Sequence, residues 1–170
     1  EGRLPALPGE KPTEADWEDH LTTLFPEARV KRFIEMRGAD AGSWQSLCAL
    51  PAFWVGLLYD GATQKRVADM IADWTQDERD TLRRNAPVSG LATPFRGGTL
   101  RDLAADVLAL AEQGLQARAN LDGTGSNETQ FLHTLQDSVA RGQTPADSLL
   151  AKFNGEWQGQ VAPIFDTLAF

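Results

Sequence analysis

Cysteine is almost absent: Cys48 is the single one in 170 residues, so no disulfide can close within the chain. It lies in the apolar run LCALPAF and reads as a buried, inert thiol, with a reducing cytoplasm as the expected setting. Histidine is nearly as scarce, with His20 and His133 only. Two histidines and one cysteine argue against a zinc site and against a Cys-His nucleophile pair. His20, near a helix end, reads as a surface or capping residue. No G-x-x-x-x-G-K-[ST] phosphate loop, G-x-S-x-G elbow or H-E-x-x-H helix occurs. Positive charge is also short: 16 Lys and Arg face 24 Asp and Glu, for a net charge of -8. That balance argues against a nucleic-acid or anionic-membrane surface. The most apolar stretch, 47–58, is too short to span a bilayer and contains Pro51. The first residues, EGRLPALPGEKP, lack a basic start followed by an apolar core, so no signal peptide is expected there.

What is present builds one mostly helical unit. With 42% hydrophobic and 24% charged residues, the chain can bury a core of its own. Pro5, Pro8 and Pro12 make an extended lead-in. Thr13 with Asp16 predicts a cap for a short helix reaching about Thr23, ended by Pro26. Segment 47–59 has no polar stripe and predicts a helix buried on most sides, capped by Ser43, kinked or begun by Pro51, and stopped at Asp60-Gly61. Val67, Met70, Ile71 and Trp74 fall at helical spacing within 62–75. Thr75 and Glu78 predict a capping box for the next helix. Segment 87–98, with two prolines and three glycines, reads as a loop whose Phe95 and Arg96 connect helices. Thr99 and Asp102 open the longest helix, to about Ala119. LDGTGSN at 121–127 reads as a flexible loop, and 128–141 as a helix stopped by Gly142. Thr144 and Pro145 start another. Trp157, Val161, Ile164, Phe165 and Leu168 predict a final docking face.

The stretch 29–37 stands apart. As a strand with period two, it puts Arg29, Lys31, Phe33, Glu35 and Arg37 on one face and Val30, Arg32, Ile34 and Met36 on the other. Three cations and a carboxylate on one face call for a polyanion, a metal or an acidic partner. The plainer reading is an edge strand that carries charge against aggregation. Gly38 and Gly42 after it predict a tight loop using positive φ.

Longer words carry a resemblance. DWEDHLTTLFPEARVKRFIEMRGAD and SLCALPAFWVGLLYD, followed by DWTQDERDTLR, GLATPFRGGTLRDLAADVL and GQTPADSLLAKFNGEW, closely resemble the plant-type glutamate–cysteine ligases also found in many bacteria. The likeness covers nearly the whole chain, and only the C-terminal part of such an enzyme. It implies an α+β, predominantly helical piece of a glutamine-synthetase-like catalytic fold: one or two strands, backed by a helical bundle. Residues 1–45 would hold the lead-in, helix and charged strand, and 46–170 the bundle. Beginning at Glu1 rather than a methionine, the chain reads as a truncation or a proteolytic product. Some plant members are regulated by disulfides, for which this chain offers no second cysteine.

The resemblance further implies the first step of glutathione synthesis, in which ATP activates the γ-carboxyl of glutamate for attack by the amine of cysteine. ATP and Mg2+ are the implied cofactors, and the remaining N-terminal part of the enzyme the implied partner. Glu35 and Arg37, two residues apart in IEMRGAD, look like the E-x-R strand word of the glutamine-synthetase-like fold. That assigns Glu35 to the metal and Arg37 to a phosphate or to the glutamate carboxylate. Arg29, Lys31 and Asp40 are lesser electrostatic candidates, and Trp44 a candidate flank for the cysteine substrate or a packing residue. Where the family usually reads glycine-glycine-proline-tryptophan and two arginines, this chain has Ala41-Gly42-Ser43-Trp44-Gln45-Ser46, a departure that argues against an ionic role for the loop after Trp44. Two alternatives stay open: a non-catalytic helical interaction module, and a related carboxylate–amine ligase with another amine acceptor.

Overall fold

A computed structural model describes residues 6–168 of the chain. The backbone divides into two compact units, one ending at Asp40 and one starting at Ala41. In the first, Thr13 opens helix α1 (Glu14–Thr22) by a reciprocal cap. The Asp16 N–H donates to the Thr13 hydroxyl at 3.2 Å, and the Thr13 N–H donates to the Asp16 carboxylate at 2.6 Å. Two donors that a helix start leaves orphaned are thus satisfied. α1 buries no residue.

Pro26 follows, then strands β1 (Ala28–Val30) and β2 (Ile34–Met36), which pair antiparallel with Arg29 opposite Glu35. The sequence predicted one strand through 29–37; the chain instead folds back on itself at 31–33. Side-chain alternation could not tell the two apart, because a three-residue turn preserves the parity of Arg29 and Glu35. Folding back places a cation directly against the carboxylate, a cross-strand pairing that a single strand cannot make. The loop prediction also needs correcting. Neither Gly38 nor Gly42 has a positive φ. Gly42 is needed for space, since a Cβ there would sit 2.7 Å from Ser46 Cβ.

The second unit starts with α2 (Trp44–Leu58), capped by Ser43, whose hydroxyl accepts from the Ser46 N–H at 3.3 Å. Asp60 caps α3 (Gly61–Ile71) in the same way, through Thr63 N–H at 2.8 Å. The Thr75–Glu78 capping box opens α4 (Gln76–Ser89), which absorbs Pro87 in its last turn. The expected loop is taken up by the end of α4, a 3-10 turn over Gly90–Ala92 and a short hairpin, β3 (Pro94–Phe95) with β4 (Gly98–Thr99). The Thr99–Asp102 capping box then starts α5 (Leu100–Arg118), 19 residues long. The expected 128–141 helix begins as a tighter 3-10 turn over Glu128–Leu132 and becomes α6 (His133–Arg141). α7 (Pro145–Asn154) carries Pro145 in its first turn, and α8 (Pro163–Thr167) ends the described chain.

The core lies between α2 and α5, where Ala52, Leu57, Leu110, Ala111 and Leu115 are buried with Leu132; Val67, Met70 and Val107 pack on it. α2 buries Ala49, Ala52, Gly56 and Leu57, while Trp44 and Leu47 at its start, and Tyr59 just past its end, are exposed. The predicted final docking face does not form. Trp157 is buried while Val161, Phe165 and Leu168 are exposed, because turns at 155–159, with Gly159 at φ 77°, break the helical period. No helix among the described residues is long and apolar enough to cross a membrane.

Candidate functional site

The β1–β2 register sets Arg29 against Glu35, and Arg37 follows two residues on, at the same parity. Arg29 donates to Glu35 Oε2 through Nε and Nη2, each at 2.8 Å. Arg37 Nη1 donates to Oε1 at 3.1 Å. The three side chains are half-buried, between 23 and 30% exposed. The Arg29 hydrogen bond holds the Glu35 carboxyl below its ordinary range; the charges of Arg29, Arg37 and Lys31 add to that, and burial opposes it. The result is an ionised carboxylate among three cations, and the excess of positive charge suits an oxyanion.

Of the residues the sequence pointed to, the fold thus brings together Arg29, Glu35 and Arg37. Lys31 sits in the turn, where its charge reaches Glu35. Trp44 opens α2 in the second unit, largely exposed. Cys48 is half-buried rather than buried. His20 rests against Trp17, ring centroids 5.8 Å apart. Among the described residues no group of three or more His, Cys, Asp and Glu is placed to hold a metal ion.

Phe25 was missed by sequence reasoning. Its ring lies 5.1 Å from Arg37 Cζ, a distance at which the ring face attracts a cation. The signal available was an aromatic residue beside Pro26, immediately ahead of the charged stretch.

A second ionic cluster lies at the β3–β4 tip, where Arg96 takes φ 46° and Gly97 φ 82°. Arg96 Nε and Nη2 donate to Glu78 at 2.6 and 2.8 Å, and Nη1 donates to Asp73 at 2.7 Å. Phe95 meets Trp74 edge-on, 4.9 Å between centroids. A shallow open pocket lined by Asp77, Glu78, Thr81, Pro94, Phe95 and Arg96 adjoins them. All three nitrogens of this guanidinium are engaged within the protein, so Arg96 works as a clasp, in agreement with a connecting role for its segment.

Residues 3–167 match the family model described as Glutamate-cysteine ligase family 2. The chain is 54% identical over 169 residues to the chloroplastic glutamate–cysteine ligase of Brassica juncea, covering 99% of this chain and 32% of that protein. It is 53% identical to the Arabidopsis thaliana chloroplastic enzyme, 31% of which is covered. It is 52% identical to chloroplastic glutamate–cysteine ligase A of Oryza sativa subsp. indica, 33% of which is covered. The chain therefore spans about a third of the length of these curated relatives. Their chloroplastic location overturns the expectation of a cytoplasmic protein, which rested on the single cysteine alone; scarcity of cysteine marks a reducing setting, which more than one compartment provides. With its match running almost from end to end, the chain belongs to Glutamate-cysteine ligase family 2.

Proposed function

We propose that the chain is the C-terminal part of an ATP-dependent glutamate–cysteine ligase, contributing the Arg29–Glu35–Arg37 hairpin to a larger glutamine-synthetase-like active site. In the reaction, a γ-carboxylate oxygen of glutamate attacks the terminal phosphorus of ATP and ADP leaves. The amine of cysteine then attacks the acyl carbon, phosphate leaves with that oxygen, and the amine gives up a proton. Negative charge accumulates on the moving phosphoryl oxygens, which preorganised cations stabilise.

Arg37 is the group for that task, bonding a phosphate oxygen or the glutamate carboxylate. Arg29 and Lys31 raise the local positive potential, and Arg29 keeps Glu35 aligned. Trp44 would flank the cysteine substrate. Glu35 suits magnesium by residue type, being a half-exposed carboxylate held ionised; it supplies one oxygen ligand set, and phosphates and water commonly complete such a shell. Magnesium, when bound there, would neutralise the ATP phosphates.

The observation that carries this reading is the joining of Arg29, Glu35 and Arg37 in a chain of this family. Because the chain spans about a third of its relatives, the 170 residues alone should release no phosphate that depends on ATP, glutamate and cysteine together, whereas the longer polypeptide should. Appreciable release by the 170-residue chain would contradict the proposal.

A further inference from the structure

Arg29 and Arg37 share Glu35 unequally. Arg29 uses two nitrogens, each 2.8 Å from Oε2, and a guanidinium held twice has little freedom to turn. Arg37 donates to Oε1 through Nη1 at the longer distance of 3.1 Å. One such bond leaves the group free to swing about it. The Phe25 ring, 5.1 Å from Arg37 Cζ, supplies a second restraint. Within this chain Phe25 is 71% exposed, so no core of these 170 residues accounts for its place beside Arg37. Its position follows from local backbone: the Arg37 N–H donates to the Glu27 carbonyl at 2.8 Å, which lays residues 25–27 alongside the end of β2.

We infer that Phe25 is a positioning residue, whose ring face holds the Arg37 guanidinium so that its outer edge meets the anionic oxygen of a phosphate or carboxylate substrate. This rests on the reading of Arg37 as the anion-binding group. The attraction comes from the negative face of the aromatic ring, which tyrosine keeps and leucine, of similar bulk, lacks.

The test is made in the longer ligase polypeptide with Phe25→Leu, Phe25→Tyr and Arg37→Ala. Phe25→Leu should raise the KM of one anionic substrate, glutamate or ATP, by about 3- to 10-fold, with the other KM values and kcat within about twofold of wild type. Phe25→Tyr should restore that KM. In the same protein the Arg37 Nε–H resonance, displaced by the ring, should move in Phe25→Leu and stay in Phe25→Tyr. A wild-type Phe25→Leu beside an inactive Arg37→Ala overturns the inference and leaves the site standing. Equal losses in Phe25→Leu and Phe25→Tyr, with every KM rising together, also overturn it, because that is a purely structural role. Wild-type behaviour of Arg37→Ala removes the site reading and the inference with it.

Discussion

Two carboxylates, Glu35 and Glu78, are pulled below their ordinary range by an arginine. Glu78 is the clearer case: Arg96 is the larger cause, the Thr75 cap the next, and together they lower it from 4.5 to about 2. A carboxyl whose folded pKa lies below its unfolded value binds fewer protons when folded. Its contribution to stability is complete above 4.5 and is lost as pH falls from about 4.5 toward 2. Glu78→Gln keeps the hydrogen-bonding shape of the capping box, since glutamine also serves there, but removes the charge. Denaturant titrations at a series of pH values should therefore show a shallower loss of stability below 4.5 in the variant. An unchanged acid slope would show that Arg96 and Glu78 are not coupled in solution. Sequence reading found this capping box and passed over the clasp, because Asp73 and Glu78 meet Arg96 across 23 and 18 positions. Local patterns do not report such pairings.

At the scale of elements, the crossing of α2 and α5 depends on two glycines. A Cβ on Gly56 would lie 2.2 Å from the Ala111 carbonyl oxygen, and one on Gly114 would lie 1.8 Å from the Gly56 carbonyl oxygen. Both obstacles are backbone, so the helices would have to part. In an isolated helix, glycine to alanine stabilises by about 0.5–1 kcal/mol. Here Gly114→Ala should instead destabilise by about 1–3 kcal/mol, the usual cost of overfilling a packed core. Urea unfolding decides it: a stabilised Gly114→Ala would mean that the helices do not cross this closely. The caps at Thr13, Ser43, Thr75, Thr99 and Thr144 were all legible, because each is a short-range chemical rule. The hairpin was not. Its turn, Lys31-Arg32-Phe33, has none of the glycine or asparagine that usually marks one. The grouping of Arg29, Glu35 and Arg37 on one face survived that error, since parity is common to both arrangements. Phe25 escaped notice because its partner is brought to it by the backbone bond between Arg37 and Glu27, a detail of the fold rather than of the pattern.

Across the whole molecule the net charge is -8, while in the local cluster cations outnumber acids. The core belongs to the second unit, while the cluster belongs to a small first unit whose helix buries nothing. Two short strands do not usually hold together alone in water. In the ligase proposed above, the hairpin with its shared carboxylate between two guanidiniums would be completed by the rest of the polypeptide; the chain itself spans about a third of its relatives. We propose that this cluster serves ligation. The most direct measurement is turnover of the longer polypeptide carrying Arg37→Ala or Glu35→Gln, with circular dichroism recorded alongside. In each, kcat should fall by about 100-fold or more, as when a charge-stabilising group is removed from a site, with the spectrum unchanged. Wild-type turnover in both variants would contradict it.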